Sequence, residues 1–179
     1  SFGGRKFGSP AGERGGMMDM HRAIAESSNV YFYSLANEMG VEAMHDFMAP
    51  LGFGQITGID INGEVRGVLP NQAWKRNYFK RPEQQKWFAG ETISLGIGQG
   101  YNSFTMLQLA HATATLVNNG IQHKPRLVMA TRDTVTGEMH PIPPDPPVDL
   151  GFKPENVAVV CKALGSVTQG GTATRVLAG

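Results

Sequence analysis

A chain of 179 residues is long enough to form one domain with a substantial hydrophobic core. Its net charge of +1, its 41% hydrophobic residues and its 17% charged residues are ordinary values for a globular protein, so composition does not indicate nucleic acid or an anionic membrane as a partner. One cysteine excludes an internal disulfide, and the absence of any apolar run of about 18 residues excludes a transmembrane helix within this sequence.

The first residues differ from the rest of the chain. Residues 1–16 hold six glycines and little apolar periodicity, which predicts an irregular lead-in, whereas residues 17–179 are assigned to one partial domain. Since Ser1 is neither an initiator methionine nor part of a signal peptide, we expect the sequence to begin at a cut edge.

Three helices are predicted before residue 52. Asp19 is a plausible N-cap for the first, which ends at Ser27-Ser28-Asn29. The second runs from Val30 to Met39, and the third covers residues 41–51. Gly40 and Gly52 are expected to end the last two. The apolar face of the third helix is predicted to comprise Met44, Phe47, Met48 and Leu51.

Two segments of another kind follow. Residues 54–70 carry β-branched residues around Asn62-Gly63, which predicts a short β-hairpin. Residues 74–87 are basic and aromatic. They suit either single-stranded nucleic acid or a solvated surface segment with anchoring aromatic rings, and the near-neutral chain favours the second interpretation.

The stretch from Thr92 to Gly120 is the most informative. Gly96, Gly98 and Gly100 lie in an apolar run and indicate a close approach of the backbone to another segment or to a ligand. The spacing of Thr105 and Gln108 predicts a capping box at the start of a helix that ends at Asn118, Asn119 and Gly120. Its apolar face is predicted to comprise Met106, Leu109, Ala110, Thr113, Leu116 and Val117.

The last third is predicted to contain strands and one helix. Residues 121–131 form an expected strand, and residues 134–139 pair back on it through a turn at Gly137. Pro154 opens a helix that ends at Gly170 and Gly171. Its predicted inner face comprises Val157, Val160, Cys161, Leu164 and Val167.

Few residues have a spacing that suggests chemistry. The Ser27-Ser28-Asn29 joint is explained either by a simple helix break or by a hydroxyl and a carboxamide that point into a cleft. The five histidines have no metal-ligand spacing, His111 is expected to be a satisfied interior or boundary residue, and no metal or cofactor site is predicted.

Several motifs in order resemble one family closely. Residues 23–33 (AIAESSNVYFY) and residues 92–128 resemble the second-motif helix joint and the stretch before the third motif of class B penicillin-binding proteins. EVRGVLPN, WKRNYF and QGGTATRVLAG resemble the elongation-type subgroup, penicillin-binding protein 2. The resemblance covers nearly all of residues 17–179.

The resemblance implies a D,D-transpeptidase that cross-links peptidoglycan stem peptides through an acyl-serine intermediate and is acylated by β-lactams. Ser27 would then be the proton-relay serine, and Asn29 would bind the substrate and a lysine. Gly98, Gln99, Gly100 and Tyr101 would line or support the cleft. The resemblance also implies elongation proteins as partners, no nucleic acid, and a place on the periplasmic face of the bacterial inner membrane, with an N-terminal anchor outside this sequence.

The sequence also departs from the family pattern. No serine is followed three residues later by lysine, and the only Lys-x-Gly is Lys6-Phe7-Gly8. Relatives often carry Thr-Pro where this chain has Thr105-Met106. We therefore expect the first and third motifs to lie outside the sequence, and we expect the segment alone not to be acylated.

Two other functions stay open at this point, a non-catalytic penicillin-sensor or partner-binding scaffold and a β-lactamase-like hydrolase. The family fold implies an α+β fragment that is mainly helical. It would hold most of a helical subdomain and one helix that packs on a sheet largely supplied from elsewhere. Apolar faces that should meet this sheet would be exposed, which predicts partial order, oligomers or aggregation.

Overall fold

The computed structural model describes residues 17–174, so the predicted lead-in over residues 1–16 and the last five residues lie outside the described part. It has eight α-helices and four short strands within that range. The helices are α1 (Met20–Ala25), α2 (Asn29–Met39), α3 (Val41–Met48), α4 (Gln72–Tyr78), α5 (Pro82–Gln85), α6 (Ala89–Leu95), α7 (Met106–Val117) and α8 (Pro154–Gln169). The strands are β1 (Ile121–Gln122), β2 (Ala130–Arg132), β3 (Met139–Pro141) and β4 (Val148–Asp149). The predicted α+β, mainly helical class is confirmed.

Local capping determines where the predicted helices begin and end. The Asp19 carboxylate accepts a hydrogen bond from the Arg22 amide at 2.7 Å, as expected of an N-cap. Thr105 and Gln108 form the predicted capping box, and Asn119 and Gly120 adopt positive φ angles of 55° and 83° just beyond α7. The first three helices follow the predicted ranges closely, with a 3-10 turn over residues 49–51.

Helix pairing organises the described chain. The N-terminal α1 packs on the C-terminal α8, and α2 packs on α6. A side chain at Gly171 would collide with the carbonyl oxygen of Ala25, so the backbone just after α8 can approach the end of α1 this closely only with glycine. Leu51, Phe53 and Ala112 form a separate buried cluster where α7 meets the turn after α3.

The predicted apolar face of α7 is wrong, because it is the outer face. Met106 is 79% exposed, and Leu109, Ala110, Thr113 and Val117 are exposed as well. The helix instead buries Gln108, Ala112 and Thr115. The inner face must fit polar loop backbone and a close helix contact, which favours small or hydrogen-bonding side chains over large apolar ones.

Gln108 is fully buried and connects α7 to the preceding loop. Its carboxamide nitrogen donates to the carbonyl oxygens of Gln55 and Arg66, and its carboxamide oxygen accepts from the Thr105 amide at 3.1 Å. The buried carboxamide therefore donates two hydrogen bonds through its nitrogen and accepts one through its oxygen.

Gln108→Leu is expected to lower the free energy of unfolding by about 2–3 kcal/mol, because it leaves the Gln55 and Arg66 carbonyls and the Thr105 amide without the partner that Gln108 supplies. Urea unfolding measures this loss, and amide exchange is expected to accelerate between residues 54 and 68. Gln99→Leu, on an exposed position, is the control. Equal effects of the two substitutions would contradict the proposed role of Gln108.

The hairpin predicted over residues 54–70 is absent from the structure. Instead of a backbone ladder, the Glu64 carboxylate closes the loop by accepting hydrogen bonds from the Thr57 and Gly58 amides. Burial of the Glu64 carboxylate raises its pKa. The hydrogen bonds from Thr57 and Gly58 outweigh this effect and hold the pKa of Glu64 below its usual range. Only Val68 makes an isolated bridge, to Ser103.

The strand predicted over residues 121–131 is split in two. β1 pairs antiparallel with β4, whereas β2 pairs antiparallel with β3 through a turn that contains Gly137. The turn is as predicted, but the pairing strand is Met139–Pro141 and not residues 134–139, most of which form the turn itself. Between β1 and β2 the Asp60 carboxylate accepts from the Leu127 and Val128 amides at 2.7 and 2.8 Å. Hydrogen bonds from Val128 and Leu127 lower the pKa of Asp60, and they also occupy amides that a continuous strand would use.

Helix α8 begins with Pro154 in its first turn and ends before Gly170, as predicted. Its inner face is only partly as predicted, because Ala163 is buried while Leu164 is 41% exposed. Cys161 is half-buried. Within residues 17–174 no helix is both long and apolar enough to cross a membrane.

Candidate functional site

The joint between α1 and α2 combines a strained backbone with an exposed hydroxyl. Ser27 has a positive φ of 55°, which is uncommon for a residue other than glycine. The next residue, Ser28, is 2% exposed and caps α2 by accepting from the Tyr31 amide. The cap and the turn therefore hold the Ser27 side chain outside both helices, where solvent reaches it.

The C-terminal end of α8 completes this joint. The Thr172 amide donates to the Ala25 carbonyl at 3.2 Å, and the Ser27 and Thr172 hydroxyl oxygens lie 2.9 Å apart. Asn29, the first residue of α2, is half-buried, and its carboxamide has no hydrogen-bond partner within the described range. The joint therefore presents a hydroxyl and an unengaged carboxamide two residues apart.

The glycine segment begins where α6 meets α2. A Cβ at Gly96 would lie 2.8 Å from the Phe32 carbonyl oxygen and would collide with the Ala36 methyl group. Only glycine therefore allows the two helices to approach so closely. Phe32 lies about one helical turn beyond Asn29, so α2 connects the serine–asparagine joint to the glycine segment.

The glycine segment itself is an exposed turn. Gly98 and Gly100 have φ angles of 73° and 74°, and the Gln99 amide donates to the Ser94 carbonyl at 3.0 Å. Gly98, Gln99 and Gly100 are exposed, and Tyr101 is half-buried. The assignment of this segment, together with Ser27 and Asn29, to a shared cleft stays a prediction.

An ion pair behind Tyr101 was missed by sequence reasoning. Lys75, in the middle of α4, is only 2% exposed and contacts the Glu91 carboxylate, while its ammonium also donates to the Lys86 carbonyl at 2.7 Å. Glu91 in addition accepts from the Phe88 amide and the Tyr101 hydroxyl, at 2.8 and 2.9 Å. Lys75 is therefore not part of a solvated surface, contrary to that interpretation of residues 74–87.

Aromatic rings surround this ion pair. The Lys75 ammonium lies 5.1 to 6.0 Å from the ring centroids of Phe79, Trp87, Phe88 and Tyr101. Burial raises the pKa of Tyr101, and its hydrogen bond to Glu91 acts in the same direction. Tyr101 is therefore neutral at physiological pH. Its hydrogen bond to Glu91 ties the end of the glycine segment to the Lys75–Glu91 ion pair.

The histidines do not form a reactive group among the described residues. His111 Nε2 lies 2.9 Å from the His123 carbonyl, which assigns the proton to Nε2. Its Nδ1 is buried without a hydrogen-bond partner in the described part, so only one of the two ring nitrogens of His111 is hydrogen-bonded there. Residues 17–174 contain no group of three His, Cys, Asp or Glu side chains placed to hold a metal ion.

Comparison with known proteins identifies close relatives. The penicillin binding protein transpeptidase domain matches residues 5–179. The peptidoglycan D,D-transpeptidase MrdA of Acinetobacter baumannii is 40% identical over 157 residues, covering 88% of this chain and 23% of the relative. MrdA of Haemophilus influenzae is 45% identical over 120 residues, covering 67% of this chain and 18% of the relative. The chain thus spans about a fifth of the length of these curated relatives.

Solved structures share the fold. The structure of Pseudomonas aeruginosa PBP2 in complex with WCK 5153 matches with a TM-score of 0.73 and 36% identity, covering 90% of this chain and 35% of that chain. A complex between PBP2 and MreC from Helicobacter pylori matches with a TM-score of 0.69 and 26% identity, covering 87% and 27% of the two chains.

Proposed function

Because the chain belongs to the penicillin-binding protein transpeptidase family, we propose that it supplies the second-motif region of an elongation-type peptidoglycan D,D-transpeptidase. In this proposal a longer polypeptide cross-links stem peptides, and the present segment forms one wall of its cleft. The observation that carries the proposal is the exposed Ser27 hydroxyl on a backbone with positive φ, beside the Asn29 carboxamide, which has no hydrogen-bond partner among residues 17–174. Strained backbone that surrounding structure maintains is typical of functional sites.

Each predicted residue has a definite task in this mechanism. A nucleophilic serine attacks the penultimate D-Ala carbonyl of the donor peptide, the carbonyl carbon becomes tetrahedral, and the terminal D-Ala amine leaves with a proton. Ser27 Oγ relays that proton, with the Thr172 hydroxyl at 2.9 Å as its neighbour. Asn29 hydrogen-bonds the substrate amide and orients a lysine, and residues 98–101 support the cleft.

Location and partners follow from the same proposal. A transpeptidase that acts on peptidoglycan works on the periplasmic face of the inner membrane, and its partners are stem peptides, β-lactams and cell-wall elongation proteins. The complex between PBP2 and MreC from Helicobacter pylori supports an elongation partner for this chain as well.

The proposal is tested with a fluorescent penicillin. We expect a covalent adduct on a full-length polypeptide that contains this segment, and no adduct on the 179-residue chain, which has no Ser-x-x-Lys sequence. Denaturing electrophoresis detects the adduct, and preincubation with unlabelled penicillin controls for specificity. A full-length polypeptide that binds penicillin only reversibly would instead favour the sensor function.

A further inference from the structure

Helix α6 connects the two regions that the proposed function assigns to one cleft. It packs on α2, the helix that begins with Asn29, and Gly96 at its C-terminal end makes that close contact possible. The glycine segment leaves α6 at the same end, where the amides of Gly98 and Gln99 donate to carbonyls in the last turn of the helix. The position of the glycine segment relative to Asn29 therefore depends on α6.

The far end of the glycine segment is held by the Tyr101 side chain. Residues 98–100 are exposed, and no side-chain hydrogen bond reaches them from elsewhere in residues 17–174. Tyr101 reaches back to the first turn of α6, where its hydroxyl donates to the Glu91 carboxylate at 2.9 Å. The segment is thus fixed to α6 at both ends, by backbone hydrogen bonds at its start and by Tyr101 at its end.

The Glu91 carboxylate is itself held in place. It accepts from the Phe88 amide at 2.8 Å and contacts the Lys75 ammonium, which also donates to the Lys86 carbonyl at 2.7 Å. The side chains of Glu91 and Lys75 are only 20% and 3% exposed. An acceptor that is locked by packing and by further hydrogen bonds can fix the position of the donor that reaches it.

We propose that Glu91 is a positioning residue for the cleft, which acts through the Tyr101 hydroxyl to hold the glycine segment in place relative to Asn29. This inference rests on the proposed function and adds to it a residue that is not assigned to the cleft. A segment that is already fixed needs no ordering when a substrate binds, whereas ordering a loose segment weakens binding. Loss of this hydrogen bond is therefore expected to weaken substrate binding and to leave the chemical step unchanged.

Tyr101→Phe in a full-length polypeptide that contains this segment tests the proposal, because it removes the hydroxyl and keeps the ring among its aromatic neighbours. The probe is an acyl-D-alanyl thioglycolate, a thioester that mimics the end of a stem peptide and releases a thiol on hydrolysis. We expect KM to rise about fivefold, the effect of about one net hydrogen bond, and kcat to stay within about twofold. Amide exchange of Gly98 and Gln99 is expected to accelerate by a similar factor.

Tyr78→Phe is the matched control, because it removes the same atom from the same aromatic cluster, where Tyr78 is 65% exposed and stacks on Trp74. We expect this control to leave KM and amide exchange unchanged. If Tyr101 had only a structural role, its loss would reduce the folded fraction, which lowers kcat and leaves KM unchanged. That result would overturn the proposal, as would equal KM values or equal amide exchange in the two variants.

A double variant tests whether Glu91 acts through Tyr101. Glu91→Gln replaces a charged acceptor with a neutral one, so we expect it to raise KM about threefold alone and not at all when added to Tyr101→Phe. A further rise in the double variant would overturn the proposal.

Labelling of the wild-type polypeptide by fluorescent penicillin tests the proposed function separately. A wild type that is labelled, together with variants that keep its KM, would contradict only the role of Glu91. A wild type that is neither labelled nor able to hydrolyse the thioester would contradict the proposed function and this inference with it.

Discussion

Ser27→Ala in a full-length polypeptide that contains this segment is expected to slow acylation by a fluorescent penicillin by about 100- to 10,000-fold. The substitution removes the exposed hydroxyl of the α1–α2 joint, two residues from Asn29, and with it the proposed proton relay. The Thr172 hydroxyl loses its neighbour at 2.9 Å, but it lies at the surface, where water replaces the lost hydrogen bond. The rate constant for adduct formation at several penicillin concentrations gives the effect.

Ser27→Gly distinguishes the effect of losing the hydroxyl on acylation from the effect of the positive φ angle on stability. Both substitutions remove the hydroxyl, but glycine also removes the cost of a positive φ, about 1 kcal/mol. We expect both variants to lose acylation to the same extent, while the glycine variant unfolds at a higher temperature than the alanine variant. If acylation followed stability instead, Ser27 would have only a structural role.

Lys75→Ala is expected to lower the free energy of unfolding of this chain by about 3–5 kcal/mol. The variant leaves the Glu91 carboxylate, four-fifths buried, without its cation, and it opens a hole inside a ring of aromatic side chains. Tryptophan fluorescence during urea unfolding reports on this region directly, because Trp74 and Trp87, the two tryptophans of the chain, both contact Tyr101.

Two further variants test whether the unpaired Glu91 carboxylate causes this loss of folding stability. Arg76→Ala changes the neighbouring exposed cation and is expected to alter stability by less than about 0.5 kcal/mol. Lys75→Met combined with Glu91→Gln removes both charges while keeping volume and a side-chain oxygen that can accept from Phe88 or Tyr101, and we expect it to recover most of the lost stability. If this double variant were as unstable as Lys75→Ala, the unpaired carboxylate would not be the cause.

The boundaries of α1, α2, α3, α7 and α8 were predictable because short-range chemistry decides them, whereas α4, α5 and α6 were not predicted. Asp19, Thr105, Gln108 and the Asn119-Gly120 pair act on backbone groups within four residues, and the sequence shows both partners. The resemblance identified the family for the same reason, since its motifs are contiguous stretches of chain. The same resemblance implied a functional role for Ser27 and Asn29.

Features that depend on distant segments were not predictable. The hydrophobic period of α7 is real, but its apolar face is exposed, because the contacts that bury Gln108 come from residues 55 and 66. Asn62-Gly63 suggested a hairpin, yet the carboxylate of Glu64 closes the loop. The interpretation of residues 74–87 as a solvated surface segment treated Lys75 like its exposed neighbours. A lysine placed among many aromatic residues, followed by a glutamate in the first turn of a helix, is the signal that would have suggested the pair.

The contact between Ser27 and Thr172 spans 145 residues, nearly the whole segment. A ribosome adds about 5–20 residues per second, so the serine is synthesised roughly 7 to 29 s before its neighbour. During that interval the joint lacks the segment after α8 whose Thr172 amide donates to the Ala25 carbonyl. A nascent chain therefore cannot complete the contact between Ser27 and Thr172 until translation passes residue 172. Early release or pausing of the ribosome before that residue is expected to yield polypeptides whose serine lacks its proper surroundings.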